Sequence, residues 1–193
     1  MKLIPTLLCD FYKVSHRAQY PKDTAVIYST LTPRSTKYAK WDADNKIVVF
    51  GIQAFVREYL VEYFHENFFS RPENVVVAEY EELISSSLGP QYTDSSHIRA
   101  LHKLGYLPLE IKALPEGVAV GEKIPVMTIQ NTHPDFFWLT NYFETLISCS
   151  TWQAMTSASI ARQYRKLVEE YSEKTCDNRS EERRVGKECL RLC

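Results

Sequence analysis

From Gly51 onward the sequence places Ile52, Phe55, Val56, Tyr59, Leu60, Tyr63 and Phe64 at three- and four-residue intervals. An α-helix turns once in about 3.6 residues, so these side chains line one wide apolar stripe. A single helix cannot bury such a stripe by itself, and the rest of the chain has to supply the surface that covers it. The stripe therefore reads as core rather than as a ligand box. Arg71-Pro72 interrupts the pattern, because proline forces the residue before it away from helix. Residues 73 to 88 and 94 to 104 read as two more helices, the second with Asp94 or Ser95 as its N-cap and Gly105 as its stop.

Residues Ala25 to Leu31 and Lys46 to Phe50 are rich in β-branched and aromatic residues and read as strands. The polar run between them, residues 32 to 45, is a loop. At Leu109 the texture changes. Leu109, Ile111 and Ala113 alternate with Glu110 and Lys112, the period of a half-buried strand. Pro115-Glu116-Gly117 reads as a turn, Val118 to Val120 as a short strand, residues 121 to 123 as another turn and Ile124 to Gln130 as a further strand. Three strands in this order predict an antiparallel meander with one solvated face. A helix is expected to begin at Pro134 with Thr132 or His133 near its cap, carrying Trp138, Asn141, Tyr142, Thr145, Leu146 and Cys149 on one face. A last helix carries Ile160, Tyr164, Leu167, Val168 and Tyr171. The fold class is α+β, a mixed sheet flanked by helices.

Composition narrows the partners. A formal net charge of −1 gives no electrostatic reason to expect nucleic acid or an anionic membrane surface. No apolar run approaches the roughly 20 residues that span a bilayer, and the start, MKLIPTLLCDFYK, is a poor signal peptide. Five cysteines at irregular spacing, with no CxxC pair, argue against a disulfide framework and a zinc site, so the expected compartment is the cytoplasm.

No complete catalytic constellation stands in the chain: GxGxxG, GxxxxGK[ST], HExxH and GxSxG are all absent. The histidines at 16, 65, 97, 102 and 133 make no metal spacing, and His97 and His102 read as surface or structural. The densest polar-aromatic segment runs from Cys9 to Pro21, where Asp10, Tyr12, Lys13, His16 and Gln19 fall within ten positions. It offers a ring to stack on together with donors and acceptors to orient a ligand. A capped first helix with satisfied polar groups is the plainer alternative.

The run DFYKVSHRAQYP, from Asp10 to Pro21, resembles the N-terminal motif of nicotinamide phosphoribosyltransferases. Matches follow in order at FGIQ (Phe50 to Gln53), LPLEIKALPEG (Leu107 to Gly117) and NTHPDFFWLTNYFET (Asn131 to Thr145), so the resemblance spans nearly all of residues 1 to 178. The nicotinate-using relatives lack the Ser/Thr-His and Gln-Tyr-Pro continuation of the first motif. The resemblance implies the α+β, N-terminal part of a type II phosphoribosyltransferase, with the catalytic α/β barrel mostly missing, in an enzyme that works as a head-to-tail homodimer. The implied reaction joins nicotinamide to the ribose of phosphoribosyl pyrophosphate, giving nicotinamide mononucleotide and pyrophosphate, with Mg²⁺ accompanying the phosphates. Tyr12 matches the tyrosine that stacks on the nicotinamide ring in the partner subunit's site, and Asp10 would hold that loop or contact the site. Arg34 corresponds to a basic residue near the phosphates, an exposed loop arginine being the plain alternative.

The last fifteen residues, Arg179 to Cys193, are charged and show no apolar period. Their run RSEERRVGKEC resembles a translated sequencing adapter, so residues 179 to 193 are expected to be a non-native tail and residues 1 to 178 the transferase region. The catalytic residues would then lie beyond residue 178. The chain as it stands is expected to be inactive, with apolar faces exposed on the Trp138 and Tyr164 helices. Two rivals remain: a nicotinate phosphoribosyltransferase, and a non-catalytic dimerisation module.

Overall fold

The computed structural model describes residues 3–39 and 44–175; the expected tail, 179 to 193, lies outside them. Helix α1 (Lys13–His16) lies in the N-terminal segment, followed by strands β1 (Tyr28–Leu31) and β2 (Lys46–Val48). Helix α2 (Ile52–Phe55) opens the expected apolar stripe and runs on without a break as π-helix through Val56–Tyr63 and His65–Phe69. Ile52, Phe55, Leu60, Phe64 and Phe68 are buried on it. The wider winding shows in the closing bond, Ser70 N to the carbonyl of His65, five residues back.

Helices α3 (Glu73–Leu88) and α4 (Ser96–Leu104) follow where the sequence puts them. The N-cap position of α4 falls on Ser95, whose side chain makes no capping bond, while the Asp94 carboxylate just before it accepts from the Ser96 amide at 2.9 Å. Gly105 ends α4 in the left-handed region at φ 80°. Val76, Val77, Tyr80 and Ile84 of α3 and Ile98 and Leu101 of α4 join the stripe in one core.

The strands β3 (Leu109–Ala113), β4 (Ala119–Gly121) and β5 (Met127–Asn131) do not form the expected meander. β5 sits between β1 and β3, while β4 leaves to pair with β2. Every strand pair among the described residues is antiparallel, so the α+β class holds while the mixed sheet is replaced by two antiparallel ones. Sequence neighbours make a meander only when no distant strand offers a better edge, and here Lys46, Ile47 and Val48 take β4 in register with Gly121, Val120 and Ala119.

The C-terminal helices differ in phase from expectation. A short helix α5 (Leu139–Tyr142) precedes α6 (Glu144–Thr175), and α6 joins two segments expected to be separate. Phe143, at φ −88° and ψ 5°, breaks the helix between them and resets the rotation. As a result Ile147, Thr151, Met155 and Ser159 face the core, and Cys149 is exposed. Trp138 is buried, contrary to the exposed face expected of it. Tyr164, Leu167, Val168 and Tyr171 are all exposed, as expected for their helix. The middle of α6 is tied to β2 by Ser159, whose hydroxyl accepts from the Val48 amide at 2.9 Å. No helix of the described residues is long and apolar enough to cross a membrane.

Candidate functional site

The polar-aromatic segment has little regular structure of its own: α1 is a single turn, flanked by short 3-10 turns at Pro5–Leu7 and Arg17–Gln19. Such a segment needs tertiary bonds to keep one shape, because helices this short are not stable alone. Four side-chain links to α5 and the start of α6 supply them. The Tyr142 hydroxyl donates to the Thr6 carbonyl at 2.6 Å, and Asn141 donates to the Tyr20 hydroxyl at 2.8 Å. The Thr145 hydroxyl donates to the Asp10 carboxylate at 2.7 Å, and the Lys13 ammonium donates to the Glu144 carboxylate.

Lys13 is the unusual member. Its side chain is 3% exposed, while that of Glu144 is 64% exposed. Burial works against the Lys13 charge, yet the Glu144 carboxylate outweighs it and holds the ammonium above its ordinary range. The same ammonium lies 5.0 Å from the centroid of the Tyr12 ring, within cation–π reach. Tyr12 is 53% exposed, and its other ring contact is an edge-on one with His16 at 5.0 Å between centroids. Among the other polar residues of the run, Gln19 donates to the Ser15 hydroxyl at 3.0 Å and Arg17 reaches Asp94 at 3.5 Å. Cys9, the part-buried first residue of the segment, is held in its thiol form above the usual range by burial.

A cavity of about 900 Å³ opens beside this segment, between the β1 and β5 strands and helix α6. Arg34 stands in its wall together with Thr30, Asn141, Glu144, Thr151 and Trp152. The wall thus combines a guanidinium, hydroxyls and an aromatic ring, which suits a polar ligand with a flat part. Asp10 and Tyr12 do not line the cavity, but Asn141 and Glu144 belong both to its wall and to the links that anchor the segment. Of the three residues singled out in the sequence, Asp10 and Tyr12 therefore share one anchored loop and Arg34 stands apart from them. Lys13 and Glu144 complete the arrangement. Lys13 stood within the dense polar run and Glu144 within the NTHPDFFWLTNYFET match, but no local spacing connects residues 131 positions apart.

Elsewhere the histidines are structural. His102 bonds the Arg71 carbonyl at 2.8 Å. His97 is buried edge-on against Trp138 at 4.9 Å between centroids, and its pKa is lowered to about 4 by burial and by the Arg17 charge, with Asp94 opposing. Glu116 accepts from the Gly51 amide at 2.7 Å and the Gln53 amide at 3.0 Å, capping α2.

Residues 5–111, more than half of the chain, match the family model described as nicotinamide phosphoribosyltransferase, N-terminal domain. The chain belongs to the nicotinamide phosphoribosyltransferase family. A nicotinamide phosphoribosyltransferase of Acinetobacter baylyi is 46% identical over 176 residues, which are 90% of this chain and 35% of that protein. One from Mycoplasma genitalium is 30% identical over 189 residues, again 90% of this chain and 40% of the relative. This member of the family therefore spans about two fifths or less of the length of these curated relatives. Among solved structures, human nicotinic acid phosphoribosyltransferase superposes with a TM-score of 0.59 at 22% identity, over 84% of this chain and 29% of that one. That likeness shows a shared fold.

Proposed function

We propose that this chain is the N-terminal region of a nicotinamide phosphoribosyltransferase that works in NAD biosynthesis or salvage as a cytoplasmic homodimer. In the proposed reaction the pyridine nitrogen of nicotinamide forms a bond to the anomeric carbon of phosphoribosyl pyrophosphate. The carbon–oxygen bond to pyrophosphate breaks, and pyrophosphate leaves with the electron pair. Catalysis of such a displacement rests on aligning the ring nitrogen and on neutralising the leaving group. Tyr12 stacks on the nicotinamide ring across the dimer, since an aromatic face receives a flat, electron-poor pyridine at low entropy cost. Asp10 holds the Tyr12 loop through Thr145, and Arg34 serves the phosphates from the cavity wall. Mg²⁺ supplies charge neutralisation at the departing pyrophosphate when bound with that substrate. Among the described residues no group of three His, Cys, Asp or Glu is placed to hold an ion, and no ligand to it is assigned in this chain.

The observation that carries this reading is the family match over residues 5–111, which includes the anchored loop with its half-exposed Tyr12. The 46% identity to a relative named for nicotinamide favours the amide over the acid as substrate. The test is a parallel assay of the full-length protein with nicotinamide and with nicotinate, each with phosphoribosyl pyrophosphate and Mg²⁺. A higher kcat/KM for nicotinamide supports the reading. Turnover of nicotinate alone moves the protein to the acid-using class, and no turnover of either leaves the non-catalytic dimerisation module.

A further inference from the structure

Of the four links that anchor the N-terminal segment, the Lys13–Glu144 pair alone touches both the Tyr12 ring and the cavity wall. We propose that Lys13 and Glu144 form a positioning pair that fixes the orientation of the Tyr12 ring for a flat, electron-poor heteroaromatic ring. This rests on the role given to Tyr12 under Proposed function.

The argument begins with an imbalance. A lysine 3% exposed facing a carboxylate 64% exposed is a weak stabilising device, because desolvation of the ammonium offsets most of the attraction. An apolar side chain of the same length would fill the site without that cost. The charge instead supplies a direction. The ammonium donates to the Glu144 carboxylate and also lies 5.0 Å from the Tyr12 ring centroid. Tyr12 is half exposed and has only the edge of His16 as a further ring contact, so without Lys13 its side chain is free to sample other rotamers. A ligand that stacks on a mobile ring must order it first, and its apparent affinity falls by the fraction of time the ring is out of place. Glu144 also links the cavity wall to the ring, since the same residue lines the cavity.

The test uses the full-length transferase with four variants: Lys13→Met, Lys13→Arg, Tyr12→Ala and the Lys13→Met/Tyr12→Ala double variant. Lys13→Met is expected to raise the KM for nicotinamide by about tenfold, within the range over which contacting residues couple. The KM for phosphoribosyl pyrophosphate should stay within about twofold, and Lys13→Arg should recover most of the loss. In the Tyr12→Ala background Lys13→Met should add nothing. If the two effects multiply, or if Lys13→Met moves both KM values alike, the positioning pair is overturned while the stacking role of Tyr12 stands. An unchanged nicotinamide KM in Tyr12→Ala alone overturns the stacking role itself. Should Lys13→Met fail to fold, Glu144→Gln removes the charge at a largely exposed position and is read in the same way.

Discussion

Gly51 lies so close to Ala154 that a Cβ added to Gly51 would stand 2.7 Å from the Cβ of Ala154. Gly51 also holds φ at 88°, a backbone region where a side chain is strained whatever the space around it. Both constraints meet at the start of the apolar stripe, where α2 leaves β2 and packs on α6. Gly51→Ala should therefore cost about 2–5 kcal/mol, the sum of a left-handed backbone penalty and an overpacked contact. The midpoint of urea unfolding, compared with that of the unaltered chain, reads this directly. A loss of only about 1–2 kcal/mol, the backbone penalty by itself, would mean that α6 gives way at Ala154.

Gly117 supplies the contrast. It turns the chain at φ 86° between β3 and β4, yet nothing stands within 4 Å of where its Cβ would be. A side chain there would meet only the left-handed backbone penalty, so Gly117→Ala should cost about 1 kcal/mol and Gly117→Val about 1–2. The same unfolding measurement should rank Gly51→Ala as the more damaging alanine substitution. The reverse order would contradict the packing of α6 against Gly51.

Tyr12→Ala in the full-length protein should raise the nicotinamide KM by the equivalent of about 1–3 kcal/mol, the usual cost of losing an aromatic stack. Because the ring is 53% exposed, the melting temperature should hardly move. A fall in stability with an unchanged KM would make Tyr12 a packing residue only.

His97 makes stability depend on pH in a stated direction. Its folded pKa of about 4 lies below its ordinary value of 6.5, so the unfolded chain binds its proton first. The contribution of the neutral ring is complete above pH 6.5 and is lost progressively as pH falls toward 4. The loss amounts to about 3 kcal/mol. Denaturant unfolding across this window should show a steeper decline for the natural chain than for His97→Phe, which keeps a ring against Trp138. Parallel curves would show that His97 is protonated inside the fold.

The legible part of the structure was the part controlled by neighbours along the chain. The stripe from Ile52 to Phe64, the break at Arg71-Pro72, α3, the Gly105 stop and the Gly117 turn all depend on side-chain period or on the φ of one residue. The candidate segment also stood out locally, because Asp10, Tyr12 and Lys13 fall so close together.

What tertiary structure alone decided is what depends on distant partners. β4 pairs with β2 across the fold instead of with its neighbours, since an open edge in register is chosen by energy and not by sequence distance. The phase of α6 turns on the dihedral angles of Phe143, which redirect Ile147 inward and Cys149 outward. The Lys13–Glu144 pair belongs to the same class, two charges without any local spacing to join them. By itself the sequence determined most of the helices, strands and turns and marked one loop dense in polar and aromatic side chains. Packing then determined which of those segments meet, because burial energy acts between surfaces and carries no memory of their order in the chain.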